Sequence, residues 1–151
     1  MINYKKLEFN EEQPGVIIEE IKRFGDDRGD FISIPFSEIF KRSYIITNTQ
    51  PGVVRAFHGH KKEGKLFYVP KGAFKFIIMG MEDNLWKEYT LLASVPKILF
   101  VPAGFYNGFV SLSEDSLIIT YSTSTIDESR EDDIRLPFDT LGENIWKINN
   151  R

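Results

Sequence analysis

Leu66-Phe67-Tyr68-Val69-Pro70-Lys71-Gly72-Ala73-Phe74-Lys75-Phe76-Ile77-Ile78-Met79 is two runs of β-branched and aromatic residues split by a Pro-Lys-Gly turn signal. In the second run Phe74, Phe76 and Ile78 fall on one face and Lys75 on the other, the two-residue period of a half-buried strand. Similar runs recur on both sides. They are Val16–Phe24, Phe31–Ile34, Ser43–Thr47 and Val53–Phe57 before it, and Leu85–Leu92, Ile98–Val101, Tyr106–Ser111 and Leu117–Ser122 after it. Gln50-Pro51-Gly52, Glu82-Asp83-Asn84 and Pro102-Ala103-Gly104 are turn signals between them. Strand length at strand spacing predicts an all-β sandwich or barrel. One short helix is expected over Pro35-Phe36-Ser37-Glu38-Ile39-Phe40-Lys41, because Pro suits a first helical turn. The tail, 126–151, is charged and then apolar again at Leu141, Ile145, Trp146 and Ile148, and is expected to wrap back onto the barrel.

The chain has 151 residues, the size of one domain with one core, and no linker or repeat divides it. We therefore expect a single domain over 1–151. Nineteen Lys and Arg against 22 Asp and Glu give a net charge of −3, which argues against nucleic acid and anionic membranes as partners. Cysteine is absent, excluding disulfides, a thiol nucleophile and cysteine-ligated metal. No apolar run approaches the roughly 20 residues of a membrane helix, and Met1–Gly15 lacks the apolar core of a signal peptide. The expected location is the cytoplasm.

The chain has only two histidines, and they are two residues apart in Arg55-Ala56-Phe57-His58-Gly59-His60. On a strand they share a face, and Arg55 is one position out of phase with His58 unless the strand bends at Gly59. Lys61, Lys62 and Lys65 follow. Three readings compete. Two histidines without a role are the plainest. A metal half-site is the second, with Glu63 as its carboxylate; the neighbouring lysines oppose a bound cation. The third is acid–base chemistry. An imidazole titrates near neutrality and can remove a proton, and cations beside it can steady an oxyanion on a carbonyl.

Four blocks, in order, resemble the dTDP-4-dehydrorhamnose 3,5-epimerase family. Phe24-Gly25-Asp26-Asp27-Arg28-Gly29-Asp30-Phe31 looks like its D-x-R-G-x-F, and Gly52-Val53-Val54-Arg55-Ala56-Phe57-His58 like its G-V-L-R-G-L-H. Gly64-Lys65-Leu66 looks like its G-K-L, and Pro102-Ala103-Gly104-Phe105-Tyr106-Asn107-Gly108-Phe109 like its P-x-G-F-A-H-G-F. The likeness runs from about Val16 to Trp146. It implies a cupin-type jelly roll, a homodimer, and an isomerase acting on a nucleotide-linked 4-keto-6-deoxy sugar without metal or other cofactor.

By position, the resemblance implies that His58 is the general base and Tyr121, in Thr120-Tyr121-Ser122, the general acid. Lys65 and Arg55 would hold the sugar and steady the enolate. Arg28 would contact the diphosphate, reaching a partner's site if the N-terminal strands cross, and Asn48 would lie near the sugar. Asn107 stands where the family has His, Ala56 where it has Gly, and Ile46 where a glutamine lies near the sugar. Asn107 is also a poor transition-metal ligand, where cupin metalloproteins place a third histidine. The family's aspartate that orients the base has no counterpart by position. That gap favours a non-catalytic nucleotide-sugar-binding module as one alternative. Another follows from His58-Gly59-His60-Lys61, which resembles the R-G-x-H-A-H-K block of sugar 3,4-ketoisomerases, where His60 would join His58 in moving protons.

Overall fold

A computed structural model describes residues 15–148. The remaining residues of the expected 1–151 domain lie outside the described residues. The strands are β1 (Ile17–Glu20), β2 (Arg23–Asp26), β3 (Gly29–Ile32), β4 (Arg42–Asn48), β5 (Val54–His60), β6 (Lys65–Lys71), β7 (Ala73–Gly80), β8 (Trp86–Leu92), β9 (Lys97–Val101), β10 (Phe105–Ser111), β11 (Ser116–Ser122) and β12 (Ile134–Arg135). They form two five-stranded sheets, ordered β1-β9-β6-β11-β4 and β12-β5-β10-β7-β8, and a separate β2-β3 hairpin. The two large sheets do not close into one barrel. This is the jelly-roll sandwich that the strand spacing and the resemblance led us to expect.

The core lies between the sheets. Phe67, Val69, Leu99, Val101 and Ile118 of the first sheet meet Phe74, Phe76, Ile78, Leu91 and Phe109 of the second. Phe67, Phe74, Phe76 and Phe109 stack at ring centroid distances of 5.1 to 6.3 Å, mostly tilted or edge-on, the arrangements that aromatic quadrupoles favour. Phe74, Phe76 and Ile78 thus share the core face. Lys75 faces out and pairs with Glu88 at 3.0 Å.

Both outer faces are covered in part. Leu66, Tyr68, Ile98 and Phe100 of the first sheet pack under Ile32, Ile34, Ile39 and Phe40. Phe57, Ile77 and Val110 of the second pack under the returning tail through Leu136, Leu141, Ile145 and Trp146. Trp146 Nε1 donates to Phe138 O at 2.7 Å. Ile148 stays exposed.

The helix expected over Pro35–Lys41 is absent. That segment makes a single turn, Phe40 N to Ser37 O at 3.1 Å, because its apolar residues are spent crossing the first sheet, where Phe36 and Phe40 stack on Tyr121. The helix that does form is α1 (Ile126–Glu131). Thr125 and Glu128 make a reciprocal capping box at its start, and Glu128 also pairs with Lys41 at 2.8 Å. Among the described residues no helix is long and apolar enough to cross a membrane.

One irregularity bears on the site. Between β10 and β5, Asn107 pairs with His58 and Phe109 with Arg55, two steps on one strand against three on the other. This bulge re-aims the strand and lets Arg55 and His58 border the same interior space. Gly108 sits opposite it. A Cβ there would lie 2.6 Å from Ala56 Cβ and 3.0 Å from both Phe57 Cδ1 and Trp146 Cη2. Gly108→Ala should therefore destabilise the protein by about 1–3 kcal/mol through overpacking, measured as a lower urea midpoint.

Candidate active site

A two-residue strand builds the site's key contact. In β12, Ile134 pairs with Gly59 and Arg135 with His58. This sets Asp133, just before β12, beside His58, with Asp133 Oδ1 3.1 Å from His58 Nδ1. The other carboxylate oxygen accepts from Arg135 Nε at 2.8 Å. Burial tends to raise the Asp133 pKa, but Arg135 and His58 outweigh it and hold the carboxyl below its ordinary range. A carboxylate here fixes His58 as the Nδ1–H tautomer and leaves Nε2 as the basic nitrogen.

Asp132 is a brace. It accepts from the backbone N–H groups of Lys61 at 3.0 Å, Lys62 at 2.8 Å and Glu63 at 3.2 Å. The β5–β6 connection is thereby locked to the end of α1.

Glu63, its side chain 0% exposed, lies behind the histidines. It accepts from Arg42 Nη2 at 3.0 Å, from Ser129 Oγ at 2.7 Å and, closely, from Ser122 Oγ. His60 Nδ1 is 3.0 Å from its other oxygen and Lys65 Nζ is 3.0 Å from His60 Nε2. Among the described residues no three His, Asp or Glu side chains converge as a metal site, and Glu63, the carboxylate of the metal reading, is committed to these donors.

Two adjoining cavities, about 480 and 390 Å³, share Tyr44, His58 and Lys65 on their walls. The outer one is bounded by α1 through Ile126, Ser129 and Arg130. The inner one combines apolar Ile46, Val54, Phe67 and Phe109 with polar Arg55 and Asn107. Burial pushes the Tyr44 hydroxyl up to about 12, and the negative charge of Glu63 pushes the same way, so it is a protonated donor at neutral pH.

The structure brings His58, His60, Lys65, Arg55 and Asn107 to these cavities. Arg55 Nε donates to Asn48 Oδ1 at 2.9 Å, and Asn107 Nδ2 to His58 O at 3.2 Å. Asn48 is buried and spends its amide on Val53 O and Ser111 Oγ.

Three predicted residues do not line the cavities: Asn48 lies behind Arg55, and Tyr121 and Arg28 lie elsewhere. Tyr121 pairs with Ser43 and Leu66 on the outer face of the first sheet and stacks on Phe36 and Phe40, away from the cavities. The neighbouring pair Thr120–Tyr44 faces inward, so the phenol at the cavities is that of Tyr44, which sequence reasoning missed. Arg28 sits at the exposed tip of the β2-β3 hairpin and binds Asp26. The hairpin has its own open concavity, which shares no lining residue with the other two. Asp132 and Asp133 were also missed. Their one legible signal was the Thr125-x-x-Glu128 capping box, which fixes where α1 begins.

Fold and site together define a cupin-type jelly roll with a cleft lined by His58, Lys65 and Tyr44. The model of the family described as "FdtA: WxcM-like, C-terminal" matches residues 14–136, and the chain belongs to that family. It is 29% identical over 150 residues to the spore coat polysaccharide biosynthesis protein SpsL of Bacillus subtilis, covering 91% of this chain and 98% of that protein. It is 27% identical to dTDP-4-dehydrorhamnose 3,5-epimerase of Salmonella typhimurium, covering 85% and 80%. The solved dTDP-4-dehydrorhamnose 3,5-epimerase of Bacillus anthracis, with TDP and PPi bound, shares the fold at a TM-score of 0.78 and 23% identity, covering 89% of this chain and 86% of that one. The enzyme of that name from Sulfolobus tokodaii superposes at 0.75 with 25% identity, covering 87% and 82%.

Asp132 carries a stability prediction. Burial raises its pKa, but the backbone donors of Lys62, Lys61 and Glu63 outweigh that and hold it down. Asp132→Ala should cost about 1–3 kcal/mol at neutral pH. A depressed carboxyl contributes fully above its ordinary value of 3.8 and loses that contribution as pH falls below it. In urea melts the gap between wild type and variant should therefore narrow under acid.

Proposed function

We propose that this protein is an epimerase of a nucleotide-linked 4-keto-6-deoxy sugar, in the isomerase class, serving surface-polysaccharide or deoxysugar biosynthesis. The observation that carries the reading is the His58–Asp133 pair at a cleft walled by a buried lysine and a protonated phenol. A ketone acidifies the hydrogens on adjacent carbons. His58 Nε2 removes one as a proton, and the electron pair moves onto the carbonyl oxygen to form an enolate. Lys65 steadies that oxygen. Tyr44, not Tyr121, returns a proton to carbon, because Tyr44 lines both cavities while Tyr121 lies under Phe36 and Phe40. The name of the Salmonella typhimurium relative supports the substrate class, and that of the Bacillus subtilis relative supports a role in polysaccharide biosynthesis.

The non-catalytic reading rested on a missing partner for the base, and Asp133 removes that ground. The 3,4-ketoisomerase stays as a second reading, because both imidazoles border the outer cavity. We also propose a cytoplasmic homodimer in which the exposed β2-β3 hairpin, with Phe24 59% and Phe31 66% exposed, brings Arg28 to a partner's site. A monomer in sedimentation at micromolar concentration would exclude it.

The functional test is proton NMR of dTDP-4-keto-6-deoxyglucose with the protein in D2O. Loss of the C3 and C5 signals with the ketone still at C4 is the expected result. His58→Asn should slow exchange about 10²–10⁴-fold with the fold intact, and Tyr44→Phe should slow turnover while Tyr121→Phe does not. A ketone moved to C3 selects the ketoisomerase. Undiminished exchange in His58→Asn would refute the assignment of the base.

A further inference from the structure

Lys65 is a buried ammonium on the wall of both cavities, and its nearest partner is an imidazole nitrogen rather than a carboxylate. His60 Nε2 lies 3.0 Å from Lys65 Nζ, and where Lys65 is an ammonium, which only donates, Nε2 is the acceptor. In that arrangement Nδ1 carries the His60 proton. It faces Glu63 Oε2 at 3.0 Å with the N–H off the straight line, a contact more electrostatic than hydrogen-bonded. Asp132 lies 3.9 Å from Nδ1 and Asp133 4.0 Å from Nε2. The lone pair on Nε2 is thus directed at Lys65.

We propose that Glu63 is a positioning residue for Lys65: by facing the Nδ1–H of His60 it fixes that ring's tautomer, and the ring's Nε2 holds the lysine ammonium at the cavity wall. The role assigned to Lys65 rests on the proposed enolate chemistry, whereas the Glu63–His60–Lys65 relay does not.

The charges around the relay agree with it. Burial pushes Lys65 down, as does Arg42 on β4, and Glu63 is the strongest opposing charge, with Asp133 and Asp132 after α1 adding to it. Burial and Lys65 both lower His60, keeping the ring neutral against the pull of Glu63, Asp133 and Asp132. Burial works against a charged Glu63, but Lys65, Ser122, Ser129 and His60 hold it ionised. His58 and Arg55 on β5, Tyr44 on β4 and Arg130 on α1 share the cavity walls with the lysine.

In His58→Asn protein His60 is the only histidine, so two-bond ¹H–¹⁵N spectra report its state alone. A neutral Nδ1–H ring between about pH 6 and pH 8 is the expected result. An Nε2–H ring or an imidazolium there overturns the proposal. In ¹³C-lysine-labelled protein, with Lys65 assigned by its absence in Lys65→Arg, Glu63→Gln should lower the Lys65 midpoint by about one pH unit or more. An unmoved midpoint also overturns it. If Glu63→Gln does not fold, the His60 spectrum decides. Activity adds a separate readout. Glu63→Gln should reduce kcat with KM little changed and move the alkaline limb of the pH–rate profile to lower pH, whereas a purely structural lesion would leave that limb in place. A protein inactive on the sugar would refute the proposed function and leave both spectroscopic arms to decide the relay.

Discussion

Asp132 accepts three successive backbone N–H groups from the β5–β6 connection, and the geometry of the cleft descends from that one side chain. Three bonds to a carboxylate are charge-assisted and stronger than ordinary backbone pairs. They hold the end of α1 against the turn after β5, so the two-residue strand that follows can pair in a single register. The pairing is short, two ladder pairs and the reciprocal backbone bonds between Leu136 and Phe57. With the brace in place, the next residue, Asp133, sets its carboxylate beside His58, with Arg135 on its other oxygen.

Behind that pair the interior holds Glu63, Arg42 and Lys65, groups whose removal from water is costly unless each is paired. The cost is met by drawing partners from β4, β5, β11 and α1 onto one carboxylate. Such a network does little for net stability compared with the phenylalanine core between the sheets. It supplies fixed dipoles and charges that need no rearrangement when charge develops nearby.

The strands were legible because their alternation is local, and His58 and Lys65 were legible because their neighbours in sequence are distinctive. Asp133 was not, since it meets His58 across 75 residues of chain through a pairing too short to show any period. Tyr44 and Tyr121 illustrate a different gap. Each lies on an alternating strand, and only the register that sets Thr120 against Tyr44 and Ser43 against Tyr121 decides which phenol faces inward. The helix was misplaced for a third reason. Pro35 is a good first-turn residue, but Phe36 and Phe40 gain more by covering the first sheet than by forming a helix. The capping box at Thr125 and Glu128 was the better guide.

The bulge in β5 has an evolutionary corollary. Arg55 and His58 are an odd number of residues apart, so a regular strand would turn them to opposite sides. They border one cavity because β5 carries one residue more than the stretch of β10 it faces. That part of the site is written in the length of a segment rather than in the identity of a side chain. Single substitutions can weaken it or recolour it, but gaining or losing it takes an insertion or a deletion. Relatives that differ here by one residue will have changed which side chains meet the ligand even where every other position agrees.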